Sequence, residues 1–269
     1  GEAPLFAAAW DGEGRVLIDP GDQVTVEDPT YLALLSSWRV HNPSFLPVPS
    51  DAEGLDVARL NNQSKLLYLV PNFQNPQGTT LSLRRRKQLT TFTQKEGLIV
   101  IEDDPYGALR YEGEPLPSLF ELANRADGPV VRTGTFSKVL SPGLRVGWII
   151  ANHRLIEKLV PAKQAADLHT STFNQYLALE MVKNGVLESH VPKLRAEYRT
   201  RRDAMLLTLK KQMPAGVTWS IVQRRRAAFE NSKRGLLVMA PWISLLSTRP
   251  CFPQFLQNQS WSNGPNLTR

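Results

Sequence analysis

Four side chains with complementary chemistry lie at the ends of successive apolar runs of this sequence. They are Asp103, Tyr106, Lys138 and Arg145. A lysine amine can attack a carbonyl group once its ammonium form is destabilised, and a carboxylate can hold a ring nitrogen in its protonated state. A phenol and a guanidinium can bind a ring oxygen and an anion. Together the four groups supply what an aldehyde cofactor requires.

The strands that carry these groups are predicted from local pattern. The apolar run 98–101 ends in acids and a proline, which indicates a strand that is buried on both faces, with Asp103 at its carboxyl end. Residues 130–136 predict a second strand, whose glycine and hydroxyl residues let a ligand approach closely, and Lys138 follows it. A Ser-Pro-Gly turn then predicts that the chain folds back into a third strand at 145–151.

Lys138 and Asp103 are the candidates for the chemistry itself. Burial, together with a neighbouring cation such as Arg145, would make the Lys138 amine a nucleophile toward carbonyl groups. Asp103 suits a second role, because a carboxylate beside a pyridine nitrogen keeps the ring protonated. A protonated pyridine ring withdraws electrons from a carbanion formed next to it.

The remaining polar groups fit the periphery of such a ring. Asn75 offers an amide after another predicted strand and Tyr106 offers a phenol, so both are candidates for binding the ring oxygen. Thr135, Ser137 and Arg145 combine hydroxyl and guanidinium groups, the donors that commonly bind phosphate. The pattern therefore predicts a phosphorylated aldehyde cofactor.

Taken in chain order, these segments resemble the fold type I, pyridoxal-phosphate-dependent class I/II aminotransferases. The likeness is strongest to the branch that contains 2-aminoadipate and kynurenine aminotransferases, a branch whose motifs GntR/MocR-type regulators share. It runs from about Gly14 to Trp219 and includes the sequence Val26-Glu27-Asp28-Pro29-Thr30-Tyr31. The resemblance implies pyridoxal 5'-phosphate as the cofactor.

The resemblance also implies a role for each matched residue. The cofactor contacts would be Tyr31, Asn75, Asp103, Tyr106, Thr135, Ser137, Lys138 and Arg145. Lys138 would be the catalytic Schiff-base lysine, and Asp103 would pair with the pyridine nitrogen. Tyr31 would stack on the ring, although this residue could equally begin a helix and pack on the core. The ring-oxygen and phosphate partners would be those assigned above.

Strands and helices alternate along the first part of the chain. Strands are predicted at 23–27, 44–48, 65–70, 98–102, 130–136 and 145–151, and helices at 29–38, 55–60, 82–96, 153–166, 171–184 and 187–212. This alternation predicts an α/β fold, a three-layer αβα sandwich with a mostly parallel sheet. Ligands bind beyond the carboxyl ends of the strands in such sheets, which is where the candidate residues fall.

Four segments are predicted from these patterns and from the resemblance. Residues 14–185 would form the cofactor-binding large domain, and 186–220 a connecting helix with the start of a small domain. Residues 1–13 and 221–269 do not match the family and are interpreted as an atypical N-terminal segment and a divergent basic tail. A frame shift, a mis-spliced gene model or a recombined fragment would explain both ends, and the alternative is a genuine divergent small domain. The family's substrate-carboxylate arginine is weakly imitated by Arg269.

Composition agrees with a globular enzyme. The 269 residues are 42% hydrophobic and 21% charged, and the single cysteine, Cys251, argues against a disulfide framework and for a reducing compartment. No apolar run reaches membrane-spanning length and no signal peptide is apparent, so a cytoplasmic protein is expected. No metal site is predicted. Residues 221–269 hold seven basic residues against one acid, which accounts for most of the net charge of +7. The charge therefore does not indicate a nucleic-acid-binding surface.

Two functions from different classes follow. The first is an aminotransferase, expected to be a homodimer, that moves an amino group from an amino acid to a 2-oxo acid. The second is the effector domain of a GntR/MocR-type transcription regulator, which would bind nucleic acid only through a helix-turn-helix module preceding this chain. A third outcome is an inactive fragment that does not retain the cofactor.

Overall fold

A seven-stranded sheet organises the chain. The computed structural model describes residues 18–124 and 128–214, together with the backbone of three short strands further on. The strands of the main sheet are β1 (Gln23–Asp28), β2 (Ser44–Asp51), β3 (Gly54–Leu55), β4 (Leu66–Leu69), β5 (Ile99–Asp103), β6 (Val130–Thr135) and β7 (Gly147–Ile150). Their order is β3-β2-β1-β4-β5-β6-β7. The five central strands run parallel, whereas the edge strands β3 and β7 pair antiparallel.

Helices cover both faces of this sheet. On one face lie α1 (Leu32–Trp38) and α4 (His153–Asp167), and on the other α2 (Leu83–Glu96) and α3 (Leu119–Leu122). Two further helices follow in the chain, α5 (Thr172–Lys183) and α6 (Val186–Gln212). A small antiparallel sheet follows, formed by β8 (Thr218–Trp219), β9 (Phe229–Glu230) and β10 (Leu237–Val238).

Side-chain alternation along the strands builds two separate cores. Tyr68 and Ile101 belong to one buried cluster, which includes Trp38 of α1 and receives Leu155 of α4. The neighbouring strand residues, of which Val100 is an example, belong to a second cluster on the other face, with side chains of α2 and α3. Because successive residues of a strand point to opposite faces, both cores follow from one set of apolar runs. The three-layer αβα fold with a mostly parallel sheet is confirmed.

Helix α2 shows how local chemistry sets the boundaries. The Ser82 hydroxyl accepts a hydrogen bond from the Arg85 N–H at the start, and Gly97 ends the helix in the left-handed conformation with φ 65°. Within it, Arg86 is fully buried and donates to the carbonyl groups of Leu81, Pro117 and Pro71. A buried guanidinium is tolerated only when its donors are satisfied, and here it ties α2 to the loops around it.

Two predicted helices are corrected by the structure. The segment 55–60 is not a helix, because Leu55 pairs with Ser50 in an antiparallel ladder and only Val57–Arg59 forms a 3-10 turn. Gly54 lies at φ 92°, and a Cβ atom there would come within 2.9 Å of the Leu81 Cα, so a tight turn rather than a helix is required. The helix predicted at 29–38 begins only at Leu32, since Tyr31 is extended.

The predicted segment boundaries remain predictions. Residues 1–13 and almost all of 221–269, including Arg269, lie outside the described residues. Helix α6 begins at Val186, close to the predicted start of the connecting helix, and contributes Tyr198 to a buried cluster with Leu109 and Tyr111. None of the helices described here is long and apolar enough to cross a membrane.

Candidate active site

The carboxyl ends of the parallel strands lie at one edge of the sheet. The register places Asp103 of β5 opposite Thr133 of β6, so the carboxyl-terminal residues of these two strands lie side by side. β1 and β4 run in the same direction, and the segments with Tyr31 and Asn75 follow them. Parallel pairing therefore collects side chains that are far apart in sequence, as the strand pattern predicts.

Asp103 is held by two hydroxyl groups. Its Oδ2 accepts a hydrogen bond from the Tyr68 phenol at 2.6 Å, and its Oδ1 accepts one from the Thr133 hydroxyl at 3.0 Å. Burial raises the pKa of Asp103, and these two hydrogen bonds offset that rise only in part. Among the described residues no cation forms an ion pair with this carboxylate. Asp103 is only half-buried, so its oxygens retain the capacity to accept a further donor.

Tyr68 was missed by the sequence analysis. Its side chain is fully buried, and its ring meets the edge of Trp38 at 5.9 Å between centroids. Burial, followed by the charge of Asp103, raises the pKa of the phenol well above its ordinary value, so the phenol stays protonated and donates. The period of two in β4 and β5 was the available signal, because it puts Tyr68 on the same face as Asp103.

Lys138 lies in the turn that directly follows β6. The side chain is half-buried, and in the described part of the chain no carboxylate pairs with its amine. The turn returns the chain to β7, with the Phe136 N–H donating to the Val146 carbonyl at 3.0 Å and Thr135 opposite Gly147 in the antiparallel ladder. The predicted fold-back of this segment is confirmed.

Three groups predicted to bind phosphate lie together in this turn. The Thr135 hydroxyl accepts a hydrogen bond from the Ser137 N–H at 3.0 Å and donates to the Val146 carbonyl at 3.2 Å. The Arg145 guanidinium donates to the Ser137 hydroxyl at 3.4 Å. Arg145 has a left-handed backbone, with φ 52°, which is uncommon for a residue with a long side chain. Backbone strain of this kind is frequent at binding sites.

The remaining predicted residues surround the same face of the sheet. Tyr31 and Tyr106 are half-buried, and both pack against the core cluster that contains Tyr68 and Ile101. Tyr31 also precedes the first residue of α1, so its helix-start position is confirmed, whereas ring stacking stays a prediction. Asn75 is buried, with 7% of its surface exposed, in the loop after β4.

The sequence matches the family described as "Aminotransferase class I and II" over residues 6–229. This chain belongs to that family. Over 222 residues it is 44% identical to aromatic-amino-acid aminotransferase 1 of Thermococcus litoralis. This alignment covers 79% of this chain and 53% of that protein. Over 203 residues it is 34% identical to the uncharacterized HTH-type transcriptional regulator YisV of Bacillus subtilis, covering 74% of this chain and 42% of the regulator.

Solved aminotransferase structures share the fold. The kynurenine aminotransferase of Pyrococcus horikoshii, crystallised with PMP, superposes with a TM-score of 0.77 at 42% identity, covering 82% of this chain and 57% of that one. LysN of Thermus thermophilus, an alpha-aminoadipate aminotransferase complexed with N-(5'-phosphopyridoxyl)-L-leucine, gives a TM-score of 0.76 at 36% identity, with coverage of 87% and 67%. The chain spans about half the length of the curated relatives it matches, 53% for the first.

The site of this aminotransferase-family chain fits a pyridoxal 5'-phosphate ring. A half-buried carboxylate whose partners in the described ranges are neutral hydroxyls lacks the positive charge that would stabilise its ionised form, and a protonated ring nitrogen would supply it. Lys138 is close to the same strand end and is free of a carboxylate partner among the described residues. The carboxylate of Asp103, the amine of Lys138 and the guanidinium of Arg145 therefore suit a ring that carries a basic nitrogen, an aldehyde and a phosphate.

The acids beside Asp103 point elsewhere. Glu102 is fully buried and accepts hydrogen bonds from the N–H groups of Leu119 and Phe120 at 2.9 and 3.0 Å, at the start of α3. Asp104 pairs with Arg132 at 3.3 Å, so it has a structural role. Of the three consecutive acids, Asp103 is the one that accepts a hydrogen bond from Tyr68.

Glu27 is a second buried carboxyl group that the sequence analysis did not assign. Its exposed fraction is 3%, and its Oε2 accepts a hydrogen bond from the Val70 N–H at 2.9 Å. Burial raises the pKa of Glu27 to about 8, and the charge of Asp103 adds to that rise. An acid inside a predicted strand was the available signal, because a charged residue is rarely buried without a specific partner.

The protonation of Glu27 predicts a pH-dependent stability. Its pKa is about 8 in the folded chain against 4.5 for an ordinary glutamate. The folded state therefore binds more protons between these values, and its stability falls as the pH rises through this window, by up to about 1.4 kcal/mol per pH unit. Glu27→Gln should lose this component, as urea unfolding between pH 5 and pH 8 would reveal. The exposed Glu114 provides the control, since Glu114→Gln should keep the wild-type slope.

Proposed function

We propose that this chain belongs to a pyridoxal-phosphate-dependent aminotransferase that moves an amino group from an amino acid to a 2-oxo acid. The observation that carries the proposal is the half-buried carboxylate of Asp103. It accepts hydrogen bonds from two hydroxyl groups and pairs with no cation in the described part of the chain. It lies on β5, next to β6, the strand that precedes Lys138. Membership of the aminotransferase class I and II family supports it. So does the LysN complex, in which a related protein holds a phosphopyridoxyl amino acid.

Each predicted residue has a place in the proposal. Lys138 binds the cofactor aldehyde, and Asp103 accepts a hydrogen bond from the ring nitrogen and keeps its proton in place. The other contacts would come from Tyr31, Asn75, Tyr106, Thr135, Ser137 and Arg145. Tyr31 would stack on the ring, and the Asn75 amide and the Tyr106 phenol would bind the ring oxygen. The phosphate would be bound by the hydroxyl groups at 135 and 137 and by the guanidinium at 145.

The residues of the chain then divide the work. When bound, pyridoxal phosphate supplies a carbonyl for the substrate amine and an electron-withdrawing ring. The Lys138 amine would hold the cofactor aldehyde and, when the substrate amine takes its place, would be free to accept the α-proton of the substrate. Tyr68 and Thr133 keep Asp103 oriented and lower its pKa, which favours the ionised carboxylate that the ring nitrogen needs.

An amino-transfer assay tests the proposal. The purified protein is incubated with pyridoxal 5'-phosphate, 2-oxoglutarate and one amino acid at a time, with 2-aminoadipate, kynurenine and the aromatic amino acids as the first donors. Glutamate formation with visible absorbance of the bound cofactor is the expected result. Failure to bind the cofactor at saturating concentration, in a protein that is folded by circular dichroism, would contradict the proposal.

A regulatory domain is the second candidate, and the likeness to the regulator YisV favours it. Such a domain would bind the same cofactor through the same residues but act on nucleic acid through a separate module. The higher identity to an enzyme, 44% against 34%, makes the aminotransferase the preferred function. A cofactor-binding protein that transfers no amino group from any donor would favour the regulator.

The proposal includes a homodimer in the cytoplasm. The single cysteine of the sequence agrees with a reducing compartment. On α5, Phe173 and Tyr176 are 73% and 64% exposed, and apolar side chains grouped on a surface are typical of subunit contacts. Sedimentation analysis of the purified protein would measure the assembly directly.

A further inference from the structure

A buried glutamine links the two loops that carry Tyr31 and Asn75. Gln74 has an exposed fraction of 2% and precedes Asn75 directly. Its side-chain Nε2 donates to the Pro29 carbonyl at 2.6 Å, two residues before Tyr31. One amide therefore joins segments that are 45 residues apart in sequence, at the edge of the sheet where the candidate site lies.

The same residue also shapes its own loop. The Gln74 Oε1 accepts a hydrogen bond from the Gln77 N–H at 2.9 Å, and the Gln74 N–H donates to the Thr79 carbonyl at 2.8 Å. Both ends of the side-chain amide and the main-chain N–H are thus engaged while the residue is buried. A buried amide with both ends satisfied can adopt only one orientation, so it fixes the groups around it.

Glu27 supports this arrangement from β1. Its carboxyl group holds the Val70 N–H, at the start of the loop that contains Gln74. The Gln74 side chain lies close enough to Glu27 to lower its pKa, against the larger effect of burial. The loop is therefore attached to β1 at its first residue and to the Pro29 carbonyl through its glutamine.

We propose that Gln74 is a positioning residue that sets the separation and orientation of Tyr31 and Asn75, and through them the affinity for the cofactor ring. This inference rests on the proposed function, in which those two side chains contact the ring. Gln74 is assigned no contact with the ring, because it is buried and both ends of its side-chain amide are engaged within the protein. Its contribution is preorganisation, because a ring contact that must be ordered during binding weakens the binding.

Cofactor affinity in matched variants tests this role. The dissociation constant of pyridoxal 5'-phosphate is measured by quenching of tryptophan fluorescence in variants that are folded by circular dichroism. Gln74→Leu should raise it roughly tenfold, the change expected from the loss of about one buried hydrogen bond. Gln74→Glu keeps the size and the acceptor for the Gln77 N–H but loses the donor to Pro29, and it should raise the constant as well.

Asn152 provides the control. Its amide also bridges two segments, with Nδ2 donating to the Gly128 carbonyl at 3.1 Å and Oδ1 accepting from the Leu155 N–H at 3.0 Å. Asn152 follows β7 and contacts the segment before β6. It therefore lies at the amino ends of the parallel strands, whereas the candidate site lies at their carboxyl ends. Asn152→Leu should lower the stability and leave the cofactor affinity within about twofold of the wild type. Equal weakening by both leucine variants would mean that Gln74 acts only on general stability.

A double-mutant cycle measures whether the effect passes through Tyr31. Tyr31→Ala, Gln74→Leu and the double variant are compared for cofactor affinity. If Gln74 acts by holding the loop of Tyr31, the double variant should bind clearly better than the product of the two single effects predicts. Multiplicative effects, or a Gln74→Leu variant with wild-type affinity, would overturn the inference. A wild-type protein that binds no cofactor would instead contradict the proposed function, so the two failures are distinguishable.

Discussion

Replacement of Lys138 by alanine is expected to abolish the covalent attachment of the cofactor and to lower amino transfer at least about a thousand-fold, the size of effect that a lost general base produces. The reason is that the amine has two roles in the proposed mechanism, attaching the aldehyde and moving the α-proton. Its half-buried position directly after β6 suits both, because the amine lies at the end of the strand next to the one that carries Asp103.

Chemical trapping gives this prediction a structural readout. Borohydride reduction of the cofactor-loaded protein, followed by peptide mass spectrometry, should place the added mass on the peptide that contains Lys138. Lys163 on α4 is a suitable control, because it pairs with Asp167 at the surface, and Lys163→Ala should retain both labelling and activity. Labelling of the Lys138→Ala variant at wild-type yield would show that another amine binds the aldehyde.

Replacement of Asp103 by asparagine is expected to lower amino transfer at least about a hundred-fold, in the range seen when one preorganised electrostatic partner is removed. Asparagine keeps the shape but cannot stabilise a protonated ring nitrogen. Tyr68→Phe should have a smaller effect in the same direction, because it removes the 2.6 Å hydrogen bond that lowers the pKa of Asp103. Turnover and cofactor affinity would be measured for both variants.

The adjacent acid makes a sharp control for this experiment. Asp104 follows Asp103 directly but bonds to the Gly107 N–H at 2.8 Å and pairs with Arg132. Asp104→Asn should therefore reduce stability and leave the absorbance of bound cofactor unchanged. Equal losses of turnover in the two asparagine variants would mean that the charge of the segment, rather than the position of Asp103, is what matters.

Local patterns were sufficient for the positions of the main elements. The apolar run before Asp103 became β5, the serine at 82 and the glycine at 97 bounded α2, and the Ser-Pro-Gly turn returned the chain from β6 to β7. In each case the signal lies within a few residues, either as side-chain periodicity or as a capping group. The prediction of a helix at 55–60 was wrong, because the conformation of this segment depends on pairing with β2 rather than on its own helix propensity.

The partners of the site residues were beyond the reach of such patterns. Tyr68 bonds to Asp103 across 35 residues, and Gln74 bonds to the Pro29 carbonyl across 45. A strand period can indicate which face a residue occupies, but it does not indicate which side chain from another strand will meet it. That choice depends on strand order and register, which are set by the packing of the whole sheet.

By itself, the sequence determined the fold class, the family and the set of groups that could serve an aldehyde cofactor, because these depend on local periodicity and on residue types in a fixed order. The tertiary structure supplied Tyr68 and Thr133 as hydrogen-bond partners of Asp103, and it joined Glu27 to Val70 and Gln74 to Pro29. The physical reason is that burial and long-range hydrogen bonds exist only after the strands have paired. Two neighbouring acids of one strand can therefore differ in role. The one on one face of the sheet is structural, and the one on the other face is a candidate for catalysis.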